Sequence, residues 1–561
     1  MSIWDWLVLC GTLAFIVGYG MWKTRGSKNI ETYLMADKSM KWWTICLSIM
    51  ATQASAITFL SIPGQAFADG MGFIQIYLGL PIAMVIISIT AVPLYAKLKV
   101  YTAYEYLENR FDLKTRSLAA LLFLVSRGLS AGITIYAPSI ILSAILGWNL
   151  TVTTIVICGI VTIYTVSGGT KAVSVTQQQQ VAVAMTGMIV AGLIVIYKLS
   201  ADLSFTESVK VAGKMGKINL VDFSFDLSNR YNFWSGIIGG LFLSLSYFGT
   251  DQSQVARYIS GESVTESRLG LLFNGLLKLP MQFIILFIGV MVFVFYQYHQ
   301  PPVFFNKTEL ATAYNSPYAS EIKDLEQKNE LLFKQRKEAT KQLVESFRTG
   351  DKGATEQSEG RLKDLKAQET NLKKSVQSTL QKANPKAELK DTDYVFLTFI
   401  MEQMPVGIVG LLIAVIFCAA MSSTASQLNA LASTTCIDIY KRSLNKTASE
   451  QHYLNASRLF TILWGVFLMI FAILASQLEN LIQAVNIMGS LFYGTILGIF
   501  LAAFYFNYIR SQAVFIAAVL AEVVVLACHF TTTISFLWFN VIGCVLVIVF
   551  GLVIETAHRK L

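Results

Sequence analysis

The chain has 561 residues, 54% of them hydrophobic and only 14% charged. With a mean hydropathy of +0.55, this composition excludes an ordinary soluble globular protein and reads as a polytopic membrane protein. The formal net charge of +9 sits largely in short loops between apolar runs, so it marks membrane topology and not a nucleic-acid surface.

A helix needs about 20 residues to cross about 30 Å of hydrocarbon. Thirteen apolar runs are predicted to do so, at 3–22, 43–66, 72–96, 118–146, 150–167, 180–200, 233–256, 269–298, 394–437, 455–475, 480–505, 510–529 and 533–554. The first has no small-residue cleavage site and reads as a retained helix, not a signal peptide. Thirteen crossings put the basic stretches at 22–41, 97–116 and 440–458 and the terminal "HRKL" on one side, the cytoplasm, with the N-terminus outside. The opposite loops at 67–71, 147–149 and 476–479 carry no Lys or Arg.

Polar residues interrupt several runs. "MATQASAITFLSIPG" (50–64) places Thr52, Gln53, Ser55 and Thr58 mid-span and predicts a break at Pro63-Gly64. "SLSYFGTDQSQ" (244–254) ends the seventh span on Gly249 and Asp251. Broken helices at corresponding positions of two halves point to an inverted-repeat transporter with its site near the midplane. Lys278, about ten residues into its span, must face a cavity, snorkel or find a partner such as Asp251.

Residues 318–391 leave the membrane pattern altogether. Ile322, Leu325, Leu332, Leu362, Leu365, Leu372 and Val376 follow three-four spacing around a "TGDKG" turn (349–353), which predicts an antiparallel helical hairpin of about 30 residues per arm. It reads either as a solvated extracytoplasmic appendage or as a docking site for an envelope partner.

In "CAAMSSTASQLNA" (418–430) hydroxyls crowd an apolar run. They could simply let helices pack closely or bond their own backbone. The adjacent Ser422 and Ser423, one turn past Ala419, also suit a hard monovalent cation, with carbonyls freed near Ala51 to Ser55 completing the oxygens. The seven Cys and four His show no metal-ligand or disulfide spacing and read as core and loop residues.

Three stretches carry a resemblance. "SGGTKAVSVTQQQQ" (167–180), "YFGTDQSQVARYIS" (247–260) and "MSSTASQLNALASTTCIDIYK" (421–441) are similar to motifs of the sodium:solute symporters, a family of sodium-coupled sugar, sialic acid, proline, iodide, vitamin and monocarboxylate carriers. The resemblance implies an all-α integral membrane fold of about thirteen transmembrane helices, with inverted five-helix repeats of the leucine-transporter type and the hairpin inserted. It divides the chain into 1–315 (helices 1–8), the 316–391 hairpin and 392–561 (helices 9–13). It implies a sodium site on the backbone oxygens of Ala51 and Ala54 and on Ala419, Ser422 and Ser423. The solute site would fall on Gln53, Thr58, Ser244, Tyr247, Lys278, Gln483 and Asn486, with Tyr247 as an inner gate; Gln53, Gln483 and Asn486 could instead be interhelical glue. Gln177 stands where many members have Asp, and with Asp251 it is a candidate for an ion release path or the remains of a second sodium site.

The expected function is a sodium-coupled secondary active symporter, not an enzyme, importing a small polar organic solute (a sugar, a sialic acid or an organic anion) by alternating access. It would lie in a cell membrane, a bacterial inner membrane, with no nucleic-acid partner. Two alternatives stay open: a transporter-like sensor, which wants an output domain although five residues follow Thr556, and proton coupling, which wants an embedded carboxylate at the cation site, Asp251 being nearest.

Overall fold

The computed structural model describes residues 1–23, 39–98, 100, 102–385, 387–474 and 481–560. The core of the basic stretch at 22–41 and the loop at 476–479 therefore lie outside the described residues, as do the side chains at 167–175 of the first family-like motif. Nine helices among the described residues are long and apolar enough to cross a membrane, ten if one bent pair is a single span. Shorter apolar helices at Ile3–Ile16, Leu150–Ile163 and Ser235–Gly249 occupy further expected spans. The protein is an all-helical, multi-span membrane protein.

The bent pair is α2 (Trp42–Gln53) and α3 (Ala56–Asp69), which meet at 61°. The break falls at Ala54-Ser55, within the stretch expected to free carbonyls, whereas the further break expected at Pro63-Gly64 is absent and α3 runs on through it. Tertiary packing overrides the proline: a Cβ on Gly289 would meet the Pro63 carbonyl at 2.3 Å, and one on Gly64 the Thr392 carbonyl at 2.0 Å. Two neighbouring backbones thus clamp α3 on either side of its weak point.

After α4 (Leu80–Ile89) and α5 (Leu113–Leu146), the runs expected separately at 150–167 and 180–200 are continuous in α6 (Leu150–Leu199). No proline interrupts the stretch, and past Gly168-Gly169 it is rich in helix-compatible residues. Along α6, Cys158 touches Gly465, Gln177 touches Ser48 and Gly192 packs on Ile288, so successive parts bind different helices. The seventh span carries a π turn at Ser235–Gly239, then α8 (Gly240–Gly249), then α9 (Gln252–Tyr258). The break predicted there is present, and Asp251 caps α9 by accepting from the Ser253 amide (2.8 Å).

α7 (Phe205–Lys214) and α10 (Val264–Tyr298) precede the hairpin, formed by α11 (Ala319–Thr349) and α12 (Lys352–Ala383). Gly350 turns the chain at φ 73, a value that favours glycine. The predicted seam residues Ile322, Leu325, Leu362, Leu365 and Val376 are buried between and beneath the arms. The hairpin is also fastened to the bundle: Arg336 donates to the Tyr296 carbonyl (2.8 Å) and Lys337 to that of Tyr298 (2.8 Å). Two cations thereby cap the C-terminus of α10, where the helix leaves carbonyls unpaired.

The run expected at 394–437 is two helices, α13 (Thr392–Gln403) and α14 (Ile408–Thr434). Pro405 and Gly407 (φ 85) separate them, and α1 (Ile3–Lys23) supplies the cap, Asp5 accepting from the amides of Gly407 (2.6 Å) and Gly410 (3.2 Å). The window that qualifies α14 as a span is 83% buried, the most of the nine. Its hydroxyls therefore face protein, not lipid. α15 (Glu450–Leu474), α16 (Leu481–Tyr505), α17 (Ser511–Thr531) and α18 (Phe536–Lys560) complete the chain.

Candidate functional site

The break between α2 and α3 interrupts the regular ladder of backbone hydrogen bonds. The Ser55 amide turns back to the Gln53 carbonyl (2.9 Å) and the Thr58 amide to that of Ser55 (2.9 Å). The carbonyls of Ala51 and Ala54 are left with no donor among the described residues. One cavity lies on each side of this break.

The smaller cavity, about 10 Å³, is lined by Ala51, Ala54, Ala419 and Ser422, four of the five residues expected at a sodium site. A space of that size holds one small ion or water. The Ser422 hydroxyl is buried without a partner, a state that costs about 1–3 kcal/mol unless something fills it. Ser423 lies one position on, its hydroxyl donating to the Ala419 carbonyl (2.9 Å), and Ser426 likewise back-bonds to Ser422 (2.9 Å). No cluster of His, Cys, Asp or Glu that could hold a metal exists among the described residues. The donor set is neutral oxygen, which fits a hard monovalent cation.

The larger cavity, about 130 Å³, collects Gln53, Thr58, Ser244, Tyr247, Lys278 and Asn486, six of the seven residues expected at a solute site. Gln483 is elsewhere: it accepts from Arg230 (2.6 Å) and donates to Gln65 (3.2 Å). Gln53 donates to Asn274 (3.2 Å), so it links helices as well as lining the cavity. Lys278 is 2% exposed and has no hydrogen-bond or ion-pair partner among the described residues; its Nζ lies 5.8 Å from the Tyr77 ring centroid.

Sequence reasoning missed Arg127, Tyr77, Tyr493 and Gln427, which also line this cavity. Arg127 had a signal, since a guanidinium inside an apolar span obeys the same rule that drew attention to Lys278. It pairs with Asp251, which also accepts from the Tyr493 hydroxyl (3.1 Å) and the Ser253 hydroxyl (2.6 Å). The Arg127 guanidinium lies 5.1 Å from the Tyr247 ring centroid, and the Tyr247 hydroxyl accepts from Gln254 (2.7 Å). Asp251 lines neither cavity, and no carboxylate lines either.

Gln177 is a buried hub between the two cavities' helices. It accepts from Ser48 (2.6 Å) and donates to Ser426 (2.8 Å) and Thr52 (3.3 Å), so α2, α6 and α14 meet at one neutral amide.

Residues 33–315 and 378–521 match the profile of the Sodium:solute symporter family. The chain belongs to that family. Its members are sodium-coupled transporters of solutes, not enzymes, and this symporter is one of them. The stretch left unmatched between the two segments, 316–377, is most of the hairpin. The symporter is 25% identical over 560 residues to the sodium/sialic acid symporter of Proteus mirabilis, covering 98% of this chain and 94% of that one. It is 30% identical over 302 residues to the human sodium/iodide cotransporter, covering 52% of this chain but 46% of the relative. The match thus spans about half the length of the iodide and monocarboxylate relatives. The fold is that of a solved substrate-bound, outward-open sodium-coupled sialic acid symporter, with a TM-score of 0.76 at 23% identity over 99% and 98% of the two chains.

Proposed function

We propose that the solute of this symporter is a small organic anion, bound in the larger cavity while the smaller one holds the sodium ion that drives its entry. The observation that carries this reading is the way one short break serves both cavities. Ala51 and Ala54 line the smaller, and Thr52, Gln53 and Ser55 the larger. Bound sodium would supply a positive charge between α2 and α14. The carbonyls of Ala51, Ala54 and Ala419 and the hydroxyls of Ser422 and Ser423 would hold it, and doing so fixes the path of the break. Gln53 and Thr58 are then set for the solute, so that binding at one site favours the other.

Two features support an anion. The charged side chains lining the larger cavity are Arg127 and Lys278, with no carboxylate. Arg127 is already matched by Asp251, which leaves the Lys278 ammonium to meet a negative group. A carboxylate of the sialic acid or monocarboxylate kind satisfies it; a neutral sugar does not. Proton coupling is the weaker reading, because Asp251 is neutralised by Arg127.

The larger frame of the proposal has thirteen crossings with inverted five-helix repeats, an outside N-terminus, a cytoplasmic C-terminus and a location in a bacterial inner membrane. Residues 1–315 and 392–561 would form the transport domain. The 316–391 hairpin would stand outside the cytoplasm as a brace on α10, with its free face open to an envelope partner. The test is a thermal-shift screen of the purified protein with sialic acid, short monocarboxylates and neutral hexoses, each with and without sodium. Carboxylates that stabilise only in sodium support the reading. Stabilisation by a neutral hexose alone refutes the anion assignment.

A further inference from the structure

The hairpin arms, the end of α7 and α10 frame a cavity of about 500 Å³ that shares no residue with the two cavities at the α2–α3 break. Its volume is that of a small-molecule site. Four lysines line it, Lys214, Lys217, Lys363 and Lys366, against two glutamates, Glu356 and Glu359. Lys214 is spent on Glu359 (2.7 Å). Lys217 is 4% exposed and caps the C-terminus of α3, donating to the carbonyls of Phe67 (2.8 Å) and Ala68. Lys363 and Lys366, three residues apart on one face of α12, carry ammonium groups with no hydrogen-bond or ion-pair partner among the described residues. Met215, Phe293, Leu343 and Leu362 make part of the same lining apolar. Excess positive charge beside apolar surface selects an anion with an apolar part.

The place of the cavity in the fold points to the source of that anion. On α10 the outward-facing residues end at Phe283 and Ile284, 41% and 43% exposed, and none from 288 to 298 is exposed. The Phe205 ring at the start of α7, 51% exposed, packs against Phe287 with centroids 6.0 Å apart, so α7 starts at the lipid edge of the bundle. The hairpin tip reaches the same level, where Arg348 donates to Glu207 (2.7 Å). Phe293 lies six residues past Phe287, about 9 Å along the helix, and the headgroup layer outside the hydrocarbon is roughly 5–8 Å deep. The cavity therefore borders the headgroups of the leaflet on the hairpin's side.

We propose that this cavity binds the phosphate of a glycerophosphate anion through Lys363 and Lys366, and that the apolar lining suits it to an anionic phospholipid of the adjoining leaflet. Lysine ammonium groups bind phosphate as point charges, and basic clusters at headgroup height select anionic lipid. Burial first, then the charge of Lys366, pushes the Lys217 ammonium from 10.5 down to about 8; a negative charge in the cavity opposes that repulsion. The bound anion joins α12 of the hairpin to the lysine that caps α3.

The experiment is thermal unfolding of the purified full-length protein in detergent, titrated with dihexanoyl phosphatidylglycerol, dihexanoyl phosphatidylcholine or glycerol 3-phosphate. Phosphatidylglycerol should raise the unfolding temperature saturably, and phosphatidylcholine should not. In Lys363→Gln/Lys366→Gln, which changes two exposed and unbonded side chains, the half-saturating concentration should rise about fivefold, the effect of losing two partly screened ion pairs. Lys323→Gln/Lys328→Gln removes the same charge elsewhere on the hairpin and should titrate like wild type. Glycerol 3-phosphate binding more weakly than the lipid makes the membrane the source, and binding as tightly makes the source a soluble phosphate; both results keep the site. Equal responses to the two lipids, an unchanged titration in Lys363→Gln/Lys366→Gln, or equal shifts in the two double variants would overturn the proposal.

Discussion

Lys278→Met removes an ammonium and keeps an unbranched side chain of similar length. In the structure that ammonium is buried, has no hydrogen-bond or ion-pair partner among the described residues and rests 5.8 Å from the Tyr77 ring centroid. A buried charge in this state is destabilising by itself, and a cation–π contact returns only about 0.5–2 kcal/mol. The variant should therefore fold at least as well as wild type, with an unchanged or raised unfolding temperature. Solute binding should suffer instead. A hydrogen bond to a charged group contributes about 1.5–3 kcal/mol, or roughly 10- to 150-fold in affinity. The assay is calorimetric or thermal-shift titration of the best-stabilising carboxylate at saturating sodium. Lys278→Arg should not restore affinity, because a planar fork cannot occupy the place of a compact ammonium. Wild-type carboxylate affinity in the methionine variant, or a large loss of stability, would refute the assignment of Lys278 to the solute.

Ser422→Ala should raise the half-saturating sodium for uptake into proteoliposomes by about tenfold, the effect of one lost oxygen on a charge, without lowering the sodium-free unfolding temperature; a twofold change or less would make the hydroxyl a packing group. With Gln177 neutral and its amide spent on Ser48, Thr52 and Ser426, a second cation finds no compensating charge there. Reversal-potential measurements should therefore give one sodium per solute, and a ratio near two would contradict this. Burial pushes the Glu388 carboxyl from 4.5 up to about 8, with Asp393 and Glu309 adding to the rise against the Tyr394 hydroxyl bond. The folded state thus holds a proton the unfolded state releases, and stability should fall as pH rises from about 4.5 towards 8, by at most about 1.4 kcal/mol per pH unit; Glu388→Gln should flatten that slope, and an unchanged slope would exclude Glu388 as its source. A chain with 318–390 replaced by a short Gly-Ser bridge uncaps the Tyr296 and Tyr298 carbonyls. It should unfold several degrees lower yet keep sodium-driven uptake within a few-fold, and loss of uptake in a well-folded preparation would make the hairpin part of the transport cycle.

What the chain declares locally, its sequence determined alone. Membrane character, the seam of the hairpin, the interruption at Gly249 to Asp251 and the hydroxyls of α14 follow from composition, three-four spacing and polar residues in apolar runs. Those are short-range properties of hydropathy and backbone chemistry. The family-like motifs extended that reach to residues far apart in sequence, and six of seven expected solute residues converge on one cavity. Only the tertiary structure decided what depends on distant partners. Pro63 stays helical because Gly289 packs on it and Thr392 on the adjoining Gly64, and the run at 394–437 divides where Asp5, some 400 residues away, caps the new helix. Gln483 turns to Arg230 and Gln65, whereas Asn486, three residues on, lines the cavity. Lys363 and Lys366 are indistinguishable in sequence from the other lysines of the hairpin. What sets them apart is a cavity shared with Lys217 and Phe293, a property of the hairpin's packing against the bundle that no local pattern encodes.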